Sequence, residues 1–499
     1  MGNITKSTKY IKINSLDNVA VALHGLGKGE TVSPEGNDLL LLEDIPAGHK
    51  FAIADIAAGS GVIKYGFAIG AAKTDIHKGE WVHTHNVKTG LGEDVEYTYQ
   101  PNFSPLAQRE RRTFAGYRRA DGSVGVRNEV WIIPTVGCVN SIAEQLARVA
   151  SQHLPNGVGG VFSFPHPYGC SQMGGDHVNT QKVLASLVRH PNAAAVLVLG
   201  LGCENNNIAE FQKVLGPYDG ERVRFLECQS SDDEYEEGGR LLEELKSYAT
   251  RFHREPVDAG ELIVGLKCGG SDGLSGITAN PLVGRFSDLL VARGGTAILT
   301  EVPEMFGAET ILMNRCRDEA TFRRTVELIN GFKEYYRRHD QVIYENPSPG
   351  NKKGGITTLE DKSLGCIQKG GAAEVSDVLG YGEQAVTKGL NLLEAPGNDL
   401  VASTALVASG AQIVLFTTGR GTPFGSPVPT VKISSNTPLF EKKRGWIDFN
   451  AGVLAENGDF DALGEEFFDY ILCVASGEPV NAEKNGCRDF AIFKQGVTL

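Results

Sequence analysis

Long apolar runs are missing from this 499-residue chain. No stretch of about 18 residues is continuously apolar, so a membrane-spanning helix is not expected. None of the 9 cysteines forms a CxxC pair, which argues against a zinc ribbon. GxxxxGK[ST] is absent, which excludes a P-loop. A GxGxxG turn with an acidic residue about 20 positions on is also absent, which disfavours a nicotinamide-dependent oxidoreductase. There is no long Lys/Arg block, and the formal charge of -13 speaks against a nucleic-acid partner. The opening residues lead into no apolar signal region, and the odd, widely spaced cysteines suit reduced thiols, so the expected location is the cytoplasm.

The chain does hold 61 glycines, spread in short turns, with 41% hydrophobic and 22% charged residues, an ordinary balance for a globular enzyme. Its length predicts two or three domains. Residues 1–100 read as short strands between glycine turns, at 9–13, 19–23, 49–56 and 80–87, and so as a small all-β module of barrel or clip type. A polar, Arg-rich stretch puts a linker at 101–125. Beyond it, apolar runs at 130–135, 160–164, 195–200, 223–228 and 262–266 alternate with helical patterns at 141–153, 178–189, 208–215 and 233–252. That alternation predicts βαβ units and mostly parallel sheets, an α/β domain at 126–258 and a second one at 259–499. Further strands are expected near 296–300, 412–418 and 470–474. The glycine-rich stretch 351–371 is too long for a plain connection, which marks it as functional or disordered.

Ligands of parallel sheets bind beyond the strands' carboxyl ends, so the residues that follow each strand carry information. Cys138, Cys170, Cys203 and Cys268 each follow a strand within a small polar loop. One such cysteine is a small residue suited to a turn; four in register suggest one pocket, as a polar wall or as iron ligands. In the front module, His83 and His85 at i and i+2 of a strand would share a face and reach one metal ion, with His24 among glycines as a third ligand. Arg420, in the glycine loop 419–425, suits a carboxylate held by two parallel hydrogen bonds.

Taken together, several segments resemble the altronate/galactarate dehydratase family. They are 116–128 (GYRRADGSVGVRN), 166–170 (HPYGC), 202–206 (GCENN), 268–273 (CGGSDG), 275–281 (SGITANP), 304–309 (EMFGAE), 354–360 (GGITTLE), 362–365 (KSLG) and 418–425 (TGRGTPFG). The likeness covers nearly the whole chain, and its front module resembles the β-clip (antifreeze-like) domain of that family. The resemblance implies a lyase that removes water from an aldonic or aldaric acid with a divalent metal, Fe²⁺ or Mn²⁺. The motifs lie closer to the altronate branch, whose substrate is D-altronate, than to the galactarate branch. Sulfolactate lyase relatives are typically split into two chains, unlike this one.

Dehydration of a 2,3-dihydroxy acid needs a base for the C2 proton, an acid for the departing hydroxyl and a cation to stabilise the ene-diolate. The expected assignment gives the metal to His83, His85 and His24. His166 is the first choice for proton transfer, with Lys267 and Glu204 as alternatives. Arg127 and Arg420 would hold the carboxylate, and Asn128, Asn205 and Asp272 the hydroxyls. In the other arrangement Cys138, Cys170 and Cys203 hold the metal, as an iron–sulfur cluster. Both ask the front module to fold over the parallel sheet. The expected partner is a small anionic sugar acid, the expected assembly a homodimer. A non-catalytic sugar-acid binder is the rival from another class.

Overall fold

The computed structural model describes residues 5–6, 9–92, 96–172, 174–343, 346–456 and 458–496. At the front, strands Tyr10–Lys12, Val19–Ala22, Lys50–Ala52 and Trp81–Val82 pair antiparallel in that order. A second small sheet joins Gly61–Lys64, Phe67–Ala72 and Val87–Lys88. The module is all-β, as its short alternating runs require. Its inward residues Ile56, Val62, Ile69, Val82 and Val87 share one buried cluster with Phe306, Leu359 and Leu364 of the last domain. Burying side chains of that size contributes roughly 1.5–3 kcal/mol each, so the module is welded to the C-terminal domain rather than tethered to it.

The stretch expected as linker ends differently. Thr113–Arg118 is a strand that pairs antiparallel with Arg254–Asp258, from Thr113 opposite Asp258 to Tyr117 opposite Arg254. Its charged composition reads as linker, but Phe114 and Gly116 are buried while Thr113, Ala115 and Tyr117, alternating with them, are more exposed, which is a strand's period of two.

The second domain is a four-stranded parallel sheet ordered Val161–Ser163, Glu129–Pro134, Ala193–Gly200, Val223–Glu227. Ala193–Gly200 is buried along its whole length, as a strand with two covered faces demands. Helices Asn140–Ala150, Gly174–Arg189, Ile208–Leu215 and Glu234–Ala249 connect the strands.

The C-terminal domain is a seven-stranded parallel sheet, ordered Val375–Leu379, Gly389–Leu393, Thr296–Leu299, Ile263–Cys268, Ile413–Thr418, Thr430–Ser434, Phe449–Asn450. The run 470–474, expected as a strand, lies inside the helix Phe460–Ala475. Its buried positions, Phe467, Phe468, Ile471, Leu472 and Ala475, recur at helical spacing, and the apolar run is simply where that face is densest. The stretch 351–371 is neither loose nor disordered: it holds the helix Leu359–Cys366, buried at every position.

Candidate active site

In the C-terminal sheet the chain starts at Ile263–Cys268, builds outward to one side, then returns to lay Ile413–Thr418 on the other. The crevice beyond the carboxyl ends of these two strands is where such sheets bind ligands. A cavity of about 280 Å³ lies there, and one of its walls is the front module. From the sheet come Asp272, Gly419, Arg420 and Asn436; from the module come Leu23, His24, Ala47 and Gly48; Glu456 also lines it.

Asp272 is fixed by its loop. Its Oδ1 accepts from the Ser275 amide at 2.9 Å, the Ser275 hydroxyl at 2.8 Å and the Ser435 hydroxyl at 2.8 Å, and Oδ2 accepts from Asn436 Nδ2 at 3.0 Å. Arg420 is exposed and, among the described residues, makes no ion pair; one Nη reaches the Gly350 carbonyl at 3.3 Å. The guanidinium is thus free to meet an anion. The module and the domain touch main chain to main chain: a Cβ on Gly273 would lie 1.9 Å from the Gly48 carbonyl oxygen, so only glycine permits the approach.

Beside this seam the module is anchored by charge. Asp361 accepts from Lys50 Nζ at 2.9 Å and Lys64 Nζ at 3.0 Å, all three buried, and from the Thr357 amide at 3.0 Å. Burial works against its ionisation, but the two ammonium groups hold its carboxyl far below the usual range. Burial pushes Lys50 down to about 8. Thr89 Oγ1 and the Gly90 amide donate to Glu360 at 2.9 and 2.7 Å.

Behind Asp272 a small void of about 10 Å³ is lined by Lys64, Tyr65, Lys362 and Cys366 among others. Next to it Cys268, Glu304 and Cys366 converge. Both thiols donate to Glu304 Oε2, at 3.1 and 3.0 Å, and the sulfurs are 3.5 Å apart. Their donor atoms all lie within 4.8 Å, so the three can hold a metal ion. Lys362 donates to Glu304 at 2.6 Å; Lys267 pairs with Glu301 and, at 2.9 Å, with Asp399; Lys369 lies 3.6 Å from Glu301. Burial opposes the charge on Glu304, yet Lys362 and Lys369 keep it ionised, while the Cys268 contact and burial hold the Cys366 thiol well above its ordinary range. Glu301 takes a left-handed φ of 68°, strain that its ring of partners sustains.

The other sequence candidates are placed as follows. His83-Thr84-His85-Asn86 is a turn rather than a strand, because Asn86 Oδ1 accepts from the His83 amide at 3.0 Å and closes it. His83 is buried against Thr357 Oγ1 at 3.3 Å, and burial with nearby Lys50 and His49 pushes it down to about 3. His85 is exposed, and both rings pack on Trp81. His24 lines the cleft, and the three histidines are not brought within ion-sharing distance of one another. His166 is buried in the second domain with Nε2 on the Pro134 carbonyl at 2.8 Å and Nδ1 accepting from the Tyr168 amide at 3.2 Å, so both nitrogens are engaged by backbone. Glu204 accepts from Thr135 Oγ1 at 2.6 Å and from two amides of its own loop. Lys267 is locked in the ion pairs above. Arg127 clamps Glu483 with two bonds of 2.8 Å and three backbone carbonyls, so its carboxylate partner is the protein's own. Asn128 bridges Arg119 and two carbonyls, and Asn205 Oδ1 accepts from the Ser171 amide at 3.0 Å.

The four strand-end cysteines do not share one pocket: Cys138, Cys170 and Cys203 follow strands of the second domain's sheet, and Cys268 ends a strand of the other. Glu304, Cys366 and Asn436 were absent from the sequence candidates. The strand-end rule, applied to 296–300 and to the unread strand Thr430–Ser434, leads to Glu304 and Asn436; Cys366 lies on a helix and has no such signal.

Three family descriptions match in succession. Residues 8–90 match "Altronate/galactarate dehydratase SAF domain", 116–250 "D-galactarate dehydratase/Altronate hydrolase, second domain", and 259–498 "D-galactarate/Altronate dehydratase, C-terminal". The chain is 57% identical to an altronate dehydratase of Escherichia coli (strain K12), covering 98% of this chain and 100% of the relative. It is 55% identical to an altronate dehydratase of Bacillus subtilis (strain 168), covering 98% and 99%. To a galactarate dehydratase (L-threo-forming) of Escherichia coli (strain K12) it is 35% identical, covering 95% and 94%.

Proposed function

From the premise that the chain belongs to the altronate/galactarate dehydratase family and is a hydro-lyase, we propose that it removes water from D-altronate to give 2-dehydro-3-deoxy-D-gluconate, in the cytoplasm. The observation that carries the substrate is the gap in identity: 57% and 55% to the two altronate dehydratases against 35% to the galactarate dehydratase, all nearly full length.

The cleft supplies a consistent set of roles. Arg420 takes the substrate carboxylate with paired hydrogen bonds, which lowers the negative charge beside C2. Asn436 and Asp272, pre-set by Ser275 and Ser435, hold hydroxyl groups in register. His24 is the one imidazole among the cleft-lining residues and takes the C2 proton. The enol left by loss of the C3 hydroxyl tautomerises to the 2-keto acid.

A divalent metal fits the set Cys268, Glu304 and Cys366. Two protons leave as two thiolates form, so the incoming double charge leaves the balance of three lysines and three carboxylates unchanged. Two sulfurs favour Fe²⁺ over Mn²⁺. A divalent ion held there would supply Lewis-acid chemistry.

The test offers D-altronate and galactarate to the Fe²⁺-loaded protein under reducing conditions and measures 2-keto-3-deoxy acid. Product from D-altronate is expected. Chelation should abolish it, and Cys268→Ser should lower the bound metal. Full turnover in metal-free protein, or product from galactarate alone, would overturn the reading.

A further inference from the structure

Of the seven cysteines outside this account, three stand on adjacent loops of the second domain. We propose that the second domain binds a four-iron iron–sulfur cluster through Cys138, Cys170 and Cys203, a site separate from the interdomain cleft.

Topology points there first. The second sheet starts at Glu129–Pro134, lays Val161–Ser163 on one side, then crosses to place Ala193–Gly200 on the other. The crevice between the first and third of these strands is the ligand position of such a sheet. Cys138 and Cys203 follow the two flanking strands, and Cys170 follows the neighbouring one.

Exposure is the second observation. Free cysteine is normally buried. Of the four exposed cysteines among the described residues, three stand on these adjacent loops; Cys473, on a distant helix, is the fourth. The loops beneath them are rigid. The Gly137 amide donates to the Tyr168 carbonyl at 2.9 Å, Asn140 Nδ2 to the His166 carbonyl at 2.9 Å, the Asn206 amide to the Gly169 carbonyl at 3.0 Å and Asn206 Nδ2 to the Thr135 carbonyl at 3.0 Å. A Cβ on Gly169 would lie 2.0 Å from the Thr135 carbonyl oxygen, so this loop rests directly on its neighbour's main chain. Ser171, next to Cys170, is held at a left-handed φ of 54°. His166 and Glu204 brace the same loops as positioning residues. Three loops tied to one another, each with its thiol exposed, make a built site rather than a chance grouping.

Spacing selects the ligand. Among the described residues only Cys268, Glu304 and Cys366 have donor atoms all within 4.8 Å, so the three loop thiols stand wider than one ion would hold them. A four-iron cluster is a larger body than one ion and takes its thiolates from separate neighbouring loops. Gln229 Nε2 already donates to Cys203 Sγ at 3.5 Å, the kind of hydrogen bond to sulfur that tunes such clusters. On binding, each thiol loses its proton as Sγ bonds an iron, and no electron moves. Three thiolates for four irons would leave one iron without a protein ligand, and it would supply a Lewis-acid position for a hydroxyl or carboxylate oxygen.

The full chain is reduced anaerobically, incubated with equal ferrous and ferric iron plus sulfide, and desalted. About four sulfides per chain are expected, with about four irons beside any single iron held by Cys268, Glu304 and Cys366, and with the broad visible absorption of iron–sulfide charge transfer. Cys138→Ser, Cys170→Ser and Cys203→Ser should each lose the sulfide, and Cys473→Ser should keep it. Because the three side chains are exposed, thermal unfolding of these variants should be unchanged. In the unmutated chain the bound cluster should protect the three thiols from alkylation while Cys473 reacts, a result that needs no variant. No retained sulfide, iron without sulfide, or full retention in the triple variant would overturn the proposal. The D-altronate assay is read separately, so either reading can fail alone.

Discussion

Arg420 needs no rearrangement to receive a carboxylate, because it is exposed and without an ion pair among the described residues. Arg420→Ala is therefore expected to raise KM for D-altronate by about 10- to 100-fold, roughly 1.4–2.7 kcal/mol, without changing the unfolding midpoint. Steady-state kinetics beside a denaturant titration checks both parts. His166 and His190 behave in the opposite way: each is buried with a ring nitrogen on a backbone carbonyl, and burial pushes each down to about 4 from 6.5. Above about pH 6.5 neither folded nor unfolded chain carries these protons. As pH falls from there towards 4 the unfolded state gains protons the native state refuses, so stability is lost in that window, up to about 3 kcal/mol per group, and no further below it. Urea midpoints at pH 7.5 and pH 5 should differ accordingly. At this scale residue type was legible and surroundings were not. Sequence singled out Arg127 and Arg420 alike as carboxylate clamps, yet Arg127 is closed by Glu483, 356 positions away.

The helix Leu359–Cys366 shows why elements were only partly readable. Thr358 caps it by accepting from the Asp361 amide at 3.2 Å, a signal present in the sequence, but the surrounding glycines masked an eight-residue helix as a loop. Its apolar and polar residues are all buried, so it has no amphipathic stripe to find. The strand–helix alternation of 126–258 was legible because a doubly covered strand is apolar along its length, whereas 470–474 carried the same composition on one helix face. Asp361 is the element's critical side chain. Asp361→Asn leaves two buried ammonium groups facing a neutral amide, and a loss of about 3–5 kcal/mol is expected. Chemical denaturation measures it, and an early transition for the front module is the expected form.

Over the whole molecule, sequence separated the front module from the rest and asked it to fold over the sheet, but it hid the residues that join them, since Lys50 and Asp361 are 311 positions apart. The shared apolar cluster and the buried ion pairs hold the module without help from the chain between. A single protease cut within residues 101–110 should therefore yield two fragments that co-elute in size-exclusion chromatography and keep turnover, whereas separation on the column would refute that attachment.

The contact of Gly48 with Gly273 sets how this protein can diversify. At that point no side chain lies between the two halves, so the gap's width there is dictated by polypeptide backbone, which point substitution cannot trim or pad. New substrate preferences are left to the cleft's side chains, among which Asn436, Thr437 and Glu456 offer groups that mutation can exchange.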